Sequence, residues 1–144
     1  MLAGLRMVRQ GNMVYFLQAS SRMFSKNILV VDDDRLICWG LEKLISARNF
    51  HVTTVNNGKD AIFEIYNVPY RSVFLDIHLP DINGMEVLHE IKRVAPETKV
   101  FVMTADDTDD YQQKALNGGA SHLLRKPFNI PEIEHIIDGL SNAA

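Results

Sequence analysis

The chain has 144 residues, of which 47% are hydrophobic and 23% charged, and its formal net charge is −3. These values are typical of a soluble globular domain with its own core. They give no electrostatic basis for broad binding to nucleic acid or to a membrane surface. No apolar run approaches the roughly 20 residues of a membrane span. The single cysteine, Cys38, excludes an internal disulfide and suits a reducing cytosol, so we expect a cytoplasmic protein.

The start of the chain differs from the rest. Its first 22 residues contain three arginines and no acidic residue, and they lack a steady hydrophobic period. The longest apolar run there, Met13–Leu17, is shorter than the core of a signal peptide. We predict an extension over residues 1–25, or an upstream choice of start codon before Met23, followed by one domain over residues 26–141.

From Lys26 onward, two hydrophobic periods alternate. The β-branched run Ile28–Val31 predicts a strand buried on both faces. Ile37, Leu41 and Leu44–Ile45 then form one stripe of a helix. The same alternation predicts four more strands, at His51–Val55, Ser72–Leu75, Lys99–Met103 and Ser121–Arg125. It also predicts four more helices. Two are given by their ranges, Gly58–Tyr66 and Asp109–Asn117, and two by their buried stripes, Val87, Leu88, Ile91 and Val94 in one and Ile133, Ile136, Ile137 and Leu140 in the other.

The last helix has the clearest start signal. Asn129 is suited to cap it, Pro131 fits its first turn, and Glu132 stands three residues after the cap, as in a capping box. Five strand–helix units predict an α/β domain, with a doubly wound, five-stranded parallel sheet and helices on both faces.

Acidic residues follow two of the predicted strands. Asp32 and Asp33 close the first strand, and Asp76 closes the third. Open parallel sheets bind ligands beyond the carboxyl ends of their strands, where the strand order reverses; for the order 2-1-3-4-5, that point lies between these two strands. Three carboxylates held together repel one another unless a cation joins them, and oxygen ligands of this kind suit Mg²⁺.

The fourth and fifth strands add a hydroxyl and an ammonium group at the same edge. Thr104 ends the fourth strand, and Lys126 follows the fifth. A phosphoryl group is a ligand that Mg²⁺, a lysine and a hydroxyl can bind together, one oxygen each. The strand ends therefore predict a site for a phosphoryl group.

Four motifs, taken in order, resemble the receiver domain of two-component response regulators, over Lys26–Leu140. The motifs are ILVVDDD, FLDIHLPDINGMEVL, VMTAD and RKPF. The resemblance implies a flavodoxin-like fold with strand order 2-1-3-4-5. It also implies a phosphorelay switch that catalyses only its own phosphorylation and dephosphorylation.

The resemblance assigns a role to each strand-end residue. Asp76 would accept a phosphoryl group from a sensor histidine kinase or a histidine phosphotransfer protein. Thr104 would bind the phosphoryl oxygen. Lys126 would pair first with Asp76 and then with the phosphate, and its bond to Pro127 would be cis. The implied Mg²⁺ ligands are Asp33 directly, Asp32 largely through water, Asp76, and the backbone carbonyl of His78.

Several residues refine this expectation. Leu123 stands where receivers usually carry an aromatic switch residue, which predicts a weakened or rerouted relay, with Tyr111 as a candidate. A homodimer through the face of the fourth helix, fifth strand and fifth helix is a further expectation, and it depends on that relay. His78 and Asp106 are candidates for setting the lifetime of the phosphate. In the first helix, Asp34 is predicted to be the cap. Asp34, Arg35, Cys38 and Trp39 are candidates for docking a partner. In the loop after Asp76, we expect Asp81, Asn83 and Gly84 to form turns.

Two other functions remain open at this point. A haloacid dehalogenase type phosphohydrolase also forms an aspartyl phosphate, but it needs a second aspartate where this chain has His78. A receiver-like interaction module that is never phosphorylated is the second alternative, and Leu123 leaves room for it. Direct contact with nucleic acid is not expected of these residues.

Overall fold

The computed structural model describes residues 22, 25–105 and 109–142. Strands and helices alternate through this part of the chain, and all ten predicted elements are confirmed, with end points that shift by a few residues at most. The strands are β1 (Asn27–Val31), β2 (His51–Val55), β3 (Ser72–Asp76), β4 (Lys99–Thr104) and β5 (His122–Arg125). The helices are α1 (Arg35–Ser46), α2 (Gly58–Asn67), α3 (Gly84–Val94), α4 (Asp109–Asn117) and α5 (Ile130–Asn142).

The five strands form one sheet in the predicted order β2-β1-β3-β4-β5, with every neighbouring pair parallel. In the register, Val31 lies opposite Leu75, and Asp76 lies opposite Met103. The carboxyl ends of β1 and β3 are therefore adjacent. This is the doubly wound, flavodoxin-like topology that the sequence predicted, with its switch point between β1 and β3.

Each face of the sheet is covered by its own apolar layer, because alternate residues of a strand point to opposite faces. Leu29, Val31, Val73 and Leu75 pack with α2 and α3 on one face. Ile28, Val30 and Phe74 pack with α1 and α5 on the other. Burying one such side chain stabilises the fold by about 1.5 to 3 kcal/mol, so these layers hold the strand ends in place.

Side chains cap the helices as predicted. Asp34 accepts a hydrogen bond from the backbone N–H of Leu36 at 2.9 Å, and Asn129 accepts one from Glu132 at 3.2 Å. The carboxylate of Glu132 also lies 3.0 Å from Nε2 of His122, which links α5 to β5. These caps fix the ends of α1 and α5 beside the carboxyl edge of the sheet.

The predicted extension lies almost entirely outside the described residues, and its boundary at residue 25 stays a prediction. Within the described part, Arg22 is buried and forms an ion pair with Glu97 at 3.0 Å. None of the helices among residues 22, 25–105 and 109–142 is both long enough and apolar enough to span a membrane.

Candidate functional site

Three acidic residues meet at the carboxyl ends of β1 and β3. Asp76 is the last residue of β3, and Asp32 and Asp33 directly follow β1. One carboxylate oxygen from each lies within 4.8 Å of the other two. Asp32 and Asp76 are 0% and 4% exposed, whereas Asp33 is exposed. The structure thus brings together the three carboxylates that the sequence singled out.

Lys126 is the cation beside this cluster. Its Nζ lies 2.7 Å from Oδ2 of Asp32 and 3.3 Å from Oδ2 of Asp76. The resemblance implied that Lys126 pairs with Asp76 before it pairs with a phosphate, and these two groups are in contact. A second and shorter contact joins Lys126 to Asp32, the more deeply buried carboxylate. Lys126 therefore bridges the two buried acids, while Asp33 faces solvent.

Thr104 lies next to the lysine in the sheet. It is the last residue of β4 and is buried, and its carbonyl accepts a hydrogen bond from the backbone N–H of Lys126 at 2.9 Å. The Lys126–Pro127 peptide bond is cis, as the resemblance implied. The predicted hydroxyl and ammonium groups thus stand at the same edge as the acidic cluster.

Burial and charge set the protonation of these groups. Burial raises the pKa of Asp76, the charge of Asp32 raises it further, and Lys126 and the backbone N–H of His78 oppose the rise. Burial alone would lower the pKa of Lys126, but its hydrogen bond to Asp32 and the charges of Asp76 and Asp32 raise it above the usual value. The lysine is charged at neutral pH, and its single positive charge stands beside a cluster of three carboxyl groups.

This donor set fits a divalent cation. The three candidate ligands offer only oxygen. Burial and the charge of Asp32 raise the free-energy cost of ionising Asp76, and a further cation in the cluster would lower that cost. Hard, oxygen-only sites with few carboxylates and room for water are those that Mg²⁺ occupies in proteins. Asp32, Asp33 and Asp76 are therefore the residues that would hold Mg²⁺ here.

The loop behind Asp76, residues 77–83 (the β3–α3 loop), is tied to its surroundings at several points. The backbone N–H of His78 donates to Oδ1 of Asp76 at 3.3 Å. Asn83 caps α3, as its place in the predicted turn allowed. Asp81 does more than form a turn, because its carboxylate accepts hydrogen bonds from the backbone of Gly58 and Lys59 in α2. Sequence reasoning missed that contact, since 22 to 23 positions separate the partners.

Two aromatic rings meet beside the loop. The imidazole of His78 and the ring of Tyr111 in α4 form an edge contact with centroids 5.7 Å apart. Tyr111 and Leu123 both pack against the same apolar layer. Asp106, the predicted partner of His78 in setting phosphate lifetime, lies outside the described residues. Tyr111 is therefore in contact with the loop, as a rerouted relay would require.

Large apolar side chains are exposed on α1 and at the start of α5. Leu36 and Trp39 of α1 and Ile130 of α5 are 73%, 57% and 54% exposed, and a cavity of about 320 Å³ lies between these helices. Cys38 does not belong to this surface: it is buried, its Sγ donates to the carbonyl of Asp32 at 3.3 Å, and burial raises its pKa to about 11. The prediction that Cys38 takes part in partner docking is therefore wrong, and its spacing from Leu41 and Ile45 is the signal that could have placed it on the inner face of α1.

Comparison with known proteins points in one direction. The family model described as response regulator receiver domain matches residues 28–138. The transcriptional regulatory protein QseB of Haemophilus influenzae is 36% identical over 106 residues, which are 74% of this chain and 48% of that protein. The chain spans about half or less of the length of the curated relatives it matches first.

Solved structures agree in fold. A response regulator receiver domain protein (CheY-like) from Methanospirillum hungatei superposes with a TM-score of 0.76 and 27% identity, covering 83% of this chain and 96% of the other. The BeF3-activated receiver domain of DrrB, a Thermotoga maritima protein, gives a TM-score of 0.73 and 30% identity, covering 80% and 96%.

Proposed function

This chain belongs to the response regulator receiver domain family, and on that premise we propose that Asp76 accepts a phosphoryl group from a phosphohistidine of a sensor histidine kinase or a histidine phosphotransfer protein in the cytosol. The observation that carries the proposal is the meeting of three carboxylates and one lysine at the switch point of the sheet. The chain is then a signalling switch without a diffusible substrate, which catalyses its own phosphorylation and dephosphorylation.

Asp76 is suited to act as the nucleophile. A carboxylate oxygen of Asp76 forms a bond to phosphorus as the phosphorus–nitrogen bond of the phosphohistidine breaks, and the electron pair of that bond stays on the imidazole. The carboxylate must be ionised to attack. Lys126 favours the ionised form, because its ammonium lies 3.3 Å from Oδ2 of Asp76.

Lys126 and Thr104 are suited to hold the phosphoryl oxygens. The ammonium already stands next to the nucleophile, and the hydroxyl belongs to the adjacent strand end. Donors placed before the reaction stabilise the charge that develops on the transferred group. Asp32, Asp33, Asp76 and the carbonyl of His78 would hold Mg²⁺, which neutralises charge between the carboxylates and the phosphoryl group when bound.

The exposed apolar surface formed by Leu36, Trp39 and Ile130 is the proposed docking site for the phosphodonor protein. Two of its residues lie on α1, which begins two residues after Asp33, so a partner seated there would bring its phosphohistidine near the acidic cluster. Asp34 and Arg35, both exposed at the start of α1, would contribute to the choice of partner.

The output of the switch is proposed to be a change in protein contacts. The contact between His78 and Tyr111 would carry the signal from the phosphorylated loop to α4, since Leu123 replaces the usual aromatic residue. The face formed by α4, β5 and α5 is the proposed homodimer surface, where Leu116 is 47% exposed.

Intact mass measurement tests the proposal. The protein is incubated with acetyl phosphate and Mg²⁺, and we expect one phosphoryl group on the wild type. We expect none on Asp76→Asn or when Mg²⁺ is chelated. Asp60→Asn is a matched control, because Asp60 is an exposed carboxylate in the first turn of α2, away from the cluster.

Three results would contradict the proposal. A folded wild type without any adduct would favour the interaction module that is never phosphorylated. An adduct retained in Asp76→Asn would place the acceptor elsewhere. Sustained turnover of a phosphate ester would favour a phosphohydrolase.

A further inference from the structure

The β3–α3 loop is held firmly at its base. The backbone N–H of Ile77 donates to the carbonyl of Met103 at 3.2 Å, and the carbonyl of Ile77 accepts from the N–H of Gly84 at 2.8 Å. Gly84 permits this approach, because a Cβ there would lie 2.4 Å from the carbonyl oxygen of Asp76. The two ends of the loop are therefore fixed against β3 and β4.

The middle of the loop is held by Asp81. Its Oδ1 accepts a hydrogen bond from the backbone N–H of Gly58 at 2.8 Å, and its Oδ2 accepts one from Lys59 at 2.9 Å. Bonds from backbone N–H groups to an ionised carboxylate are stronger than neutral ones, and the start of a helix favours negative charge. Asp81 thus binds the loop to the start of α2 with both carboxylate oxygens.

The N-terminus of α2 is matched to this contact. Its first three N–H groups have no partner within the helix. Asn57 accepts from the third, that of Asp60, and Asp81 accepts from the first two. Ile82 packs on Gly58, where a Cβ would lie 2.4 Å from its Cγ1. The start of α2 is therefore joined to the β3–α3 loop by both a polar and an apolar contact.

We propose that Asp81 is a positioning residue that fixes the β3–α3 loop, and with it the backbone carbonyl of His78, for binding of a divalent cation at the acidic cluster. The inference rests on the proposed function, because that carbonyl is the ligand which the loop would supply. Only two residues, Leu79 and Pro80, separate His78 from Asp81, and the φ angle of Pro80 is fixed by its ring. A displacement of Asp81 is therefore transmitted to His78.

Titration calorimetry with MgCl₂ tests the inference on the complete chain. We expect Asp81→Ala to raise the Kd for Mg²⁺ by about fivefold, below the 10 to 100-fold range typical of residues that orient a ligand directly. Asp81→Asn keeps one acceptor oxygen and should give an intermediate Kd. The matched control is Asp60→Ala, which removes a carboxylate from the same helix end without touching the loop.

A kinetic measurement separates positioning from loss of structure. When acetyl phosphate is supplied at increasing Mg²⁺, Asp81→Ala should need more Mg²⁺ for half-maximal phosphorylation but reach the plateau rate of the wild type. Urea unfolding establishes that each variant is folded. If Asp81→Ala is not folded, the same measurements are made on Asp81→Asn.

An unchanged Kd in both Asp81 variants would overturn the inference, and so would an equal rise of Kd in Asp60→Ala, which would indicate a general charge effect. Absence of Mg²⁺ binding by the wild type would instead overturn the proposed function together with the inference. The two failures are thus distinguishable.

Discussion

Two half-buried lysines stand at opposite edges of the same sheet, and their pKa values are shifted in opposite directions. Lys126, at the carboxyl edge where the strands end, has a raised pKa because the bonds and charges of Asp32 and Asp76 outweigh its burial. Lys92, at the amino edge where the strands begin, has a lowered pKa because burial outweighs the charge of Glu97. The two pKa values shift in opposite directions because the ammonium of Lys126 contacts two carboxylates, whereas burial dominates at Lys92.

Several polar side chains of the amino edge donate hydrogen bonds to neutral backbone carbonyls. Lys92 donates to the carbonyl of Thr98 at 2.6 Å, the hydroxyl of Thr98 donates to Tyr70 at 2.8 Å, and Arg71 donates to Leu140 at 2.7 Å. Such pairs satisfy buried polar groups and fix the chain. This edge contributes to stability.

The carboxyl edge is organised for binding. Three carboxylates share one lysine there, and the pKa of Asp76 is raised as a result of burial and of the charge of Asp32. An unbalanced cluster of this kind costs folding free energy and gains it back when a cation binds. Substitutions should therefore have opposite consequences at the two edges.

The largest expected effect is that of Lys126→Met, with Lys92→Met as its counterpart. The first removes a charged donor next to Asp76, so phosphorylation by acetyl phosphate should slow by about 10²-fold. The second removes the bonds to the carbonyls of Thr98 and Pro96, so the free energy of unfolding should fall by about 1 kcal/mol while the phosphorylation rate stays within about twofold. Rates from intact mass and urea unfolding measure both. Equal loss of rate in the two variants would contradict the division between the edges.

The carboxyl edge could be predicted from the sequence. β1 is the buried strand that its β-branched residues indicated, and Asp32, Asp33 and Asp76 meet because the ends of adjacent parallel strands share an edge. Local hydrophobic period and the topology of parallel sheets are sufficient for that result.

Contacts between distant segments could not be predicted. The bond from Gly58 to Asp81 depends on the distance between α2 and the β3–α3 loop in space, for which the chain carries no local signal. The preference of Lys126 for Asp32 over Asp76 depends on differences of tenths of an ångström in packing. The amino edge was missed altogether, because single lysine, threonine and arginine residues there form no motif.

Two buried threonines give a second matched pair, with a smaller expected effect. Thr104→Val keeps the shape of the side chain and removes the hydroxyl beside the proposed phosphoryl site, so phosphorylation should slow by about tenfold, less than for the charged donor. Thr98→Val removes the bond to the carbonyl of Tyr70, so the free energy of unfolding should fall by about 1 to 2 kcal/mol at an unchanged rate. A slower rate in Thr98→Val would mean that the amino edge also serves the reaction.

The smallest expected effect has the most informative sign. Asp76→Asn removes one of the repelling carboxylates, so the cation-free protein should become more stable at neutral pH by roughly 1 kcal/mol, although the proposed phosphoacceptor is lost. The folded-state pKa of Asp76 lies above the ordinary value of 3.8. The carboxyl therefore costs no stability below pH 3.8 and costs it as the pH rises through the folded-state pKa. The advantage of the variant should be smallest in acid and grow as the pH rises.

Mg²⁺ should make the wild type more stable than Asp76→Asn. At a concentration of about 100 times its Kd, a ligand that binds only the folded state stabilises it by about 2.7 kcal/mol. The asparagine variant has lost one of the carboxylates that would hold the cation, so it should gain less than the wild type. Urea unfolding of both proteins from about pH 4 to about pH 8, with and without Mg²⁺, shows which of the two is more stable under each condition. A variant that is less stable than the wild type without Mg²⁺ would show that Lys126 fully offsets the repulsion, and the carboxyl edge would then be as balanced as the amino edge.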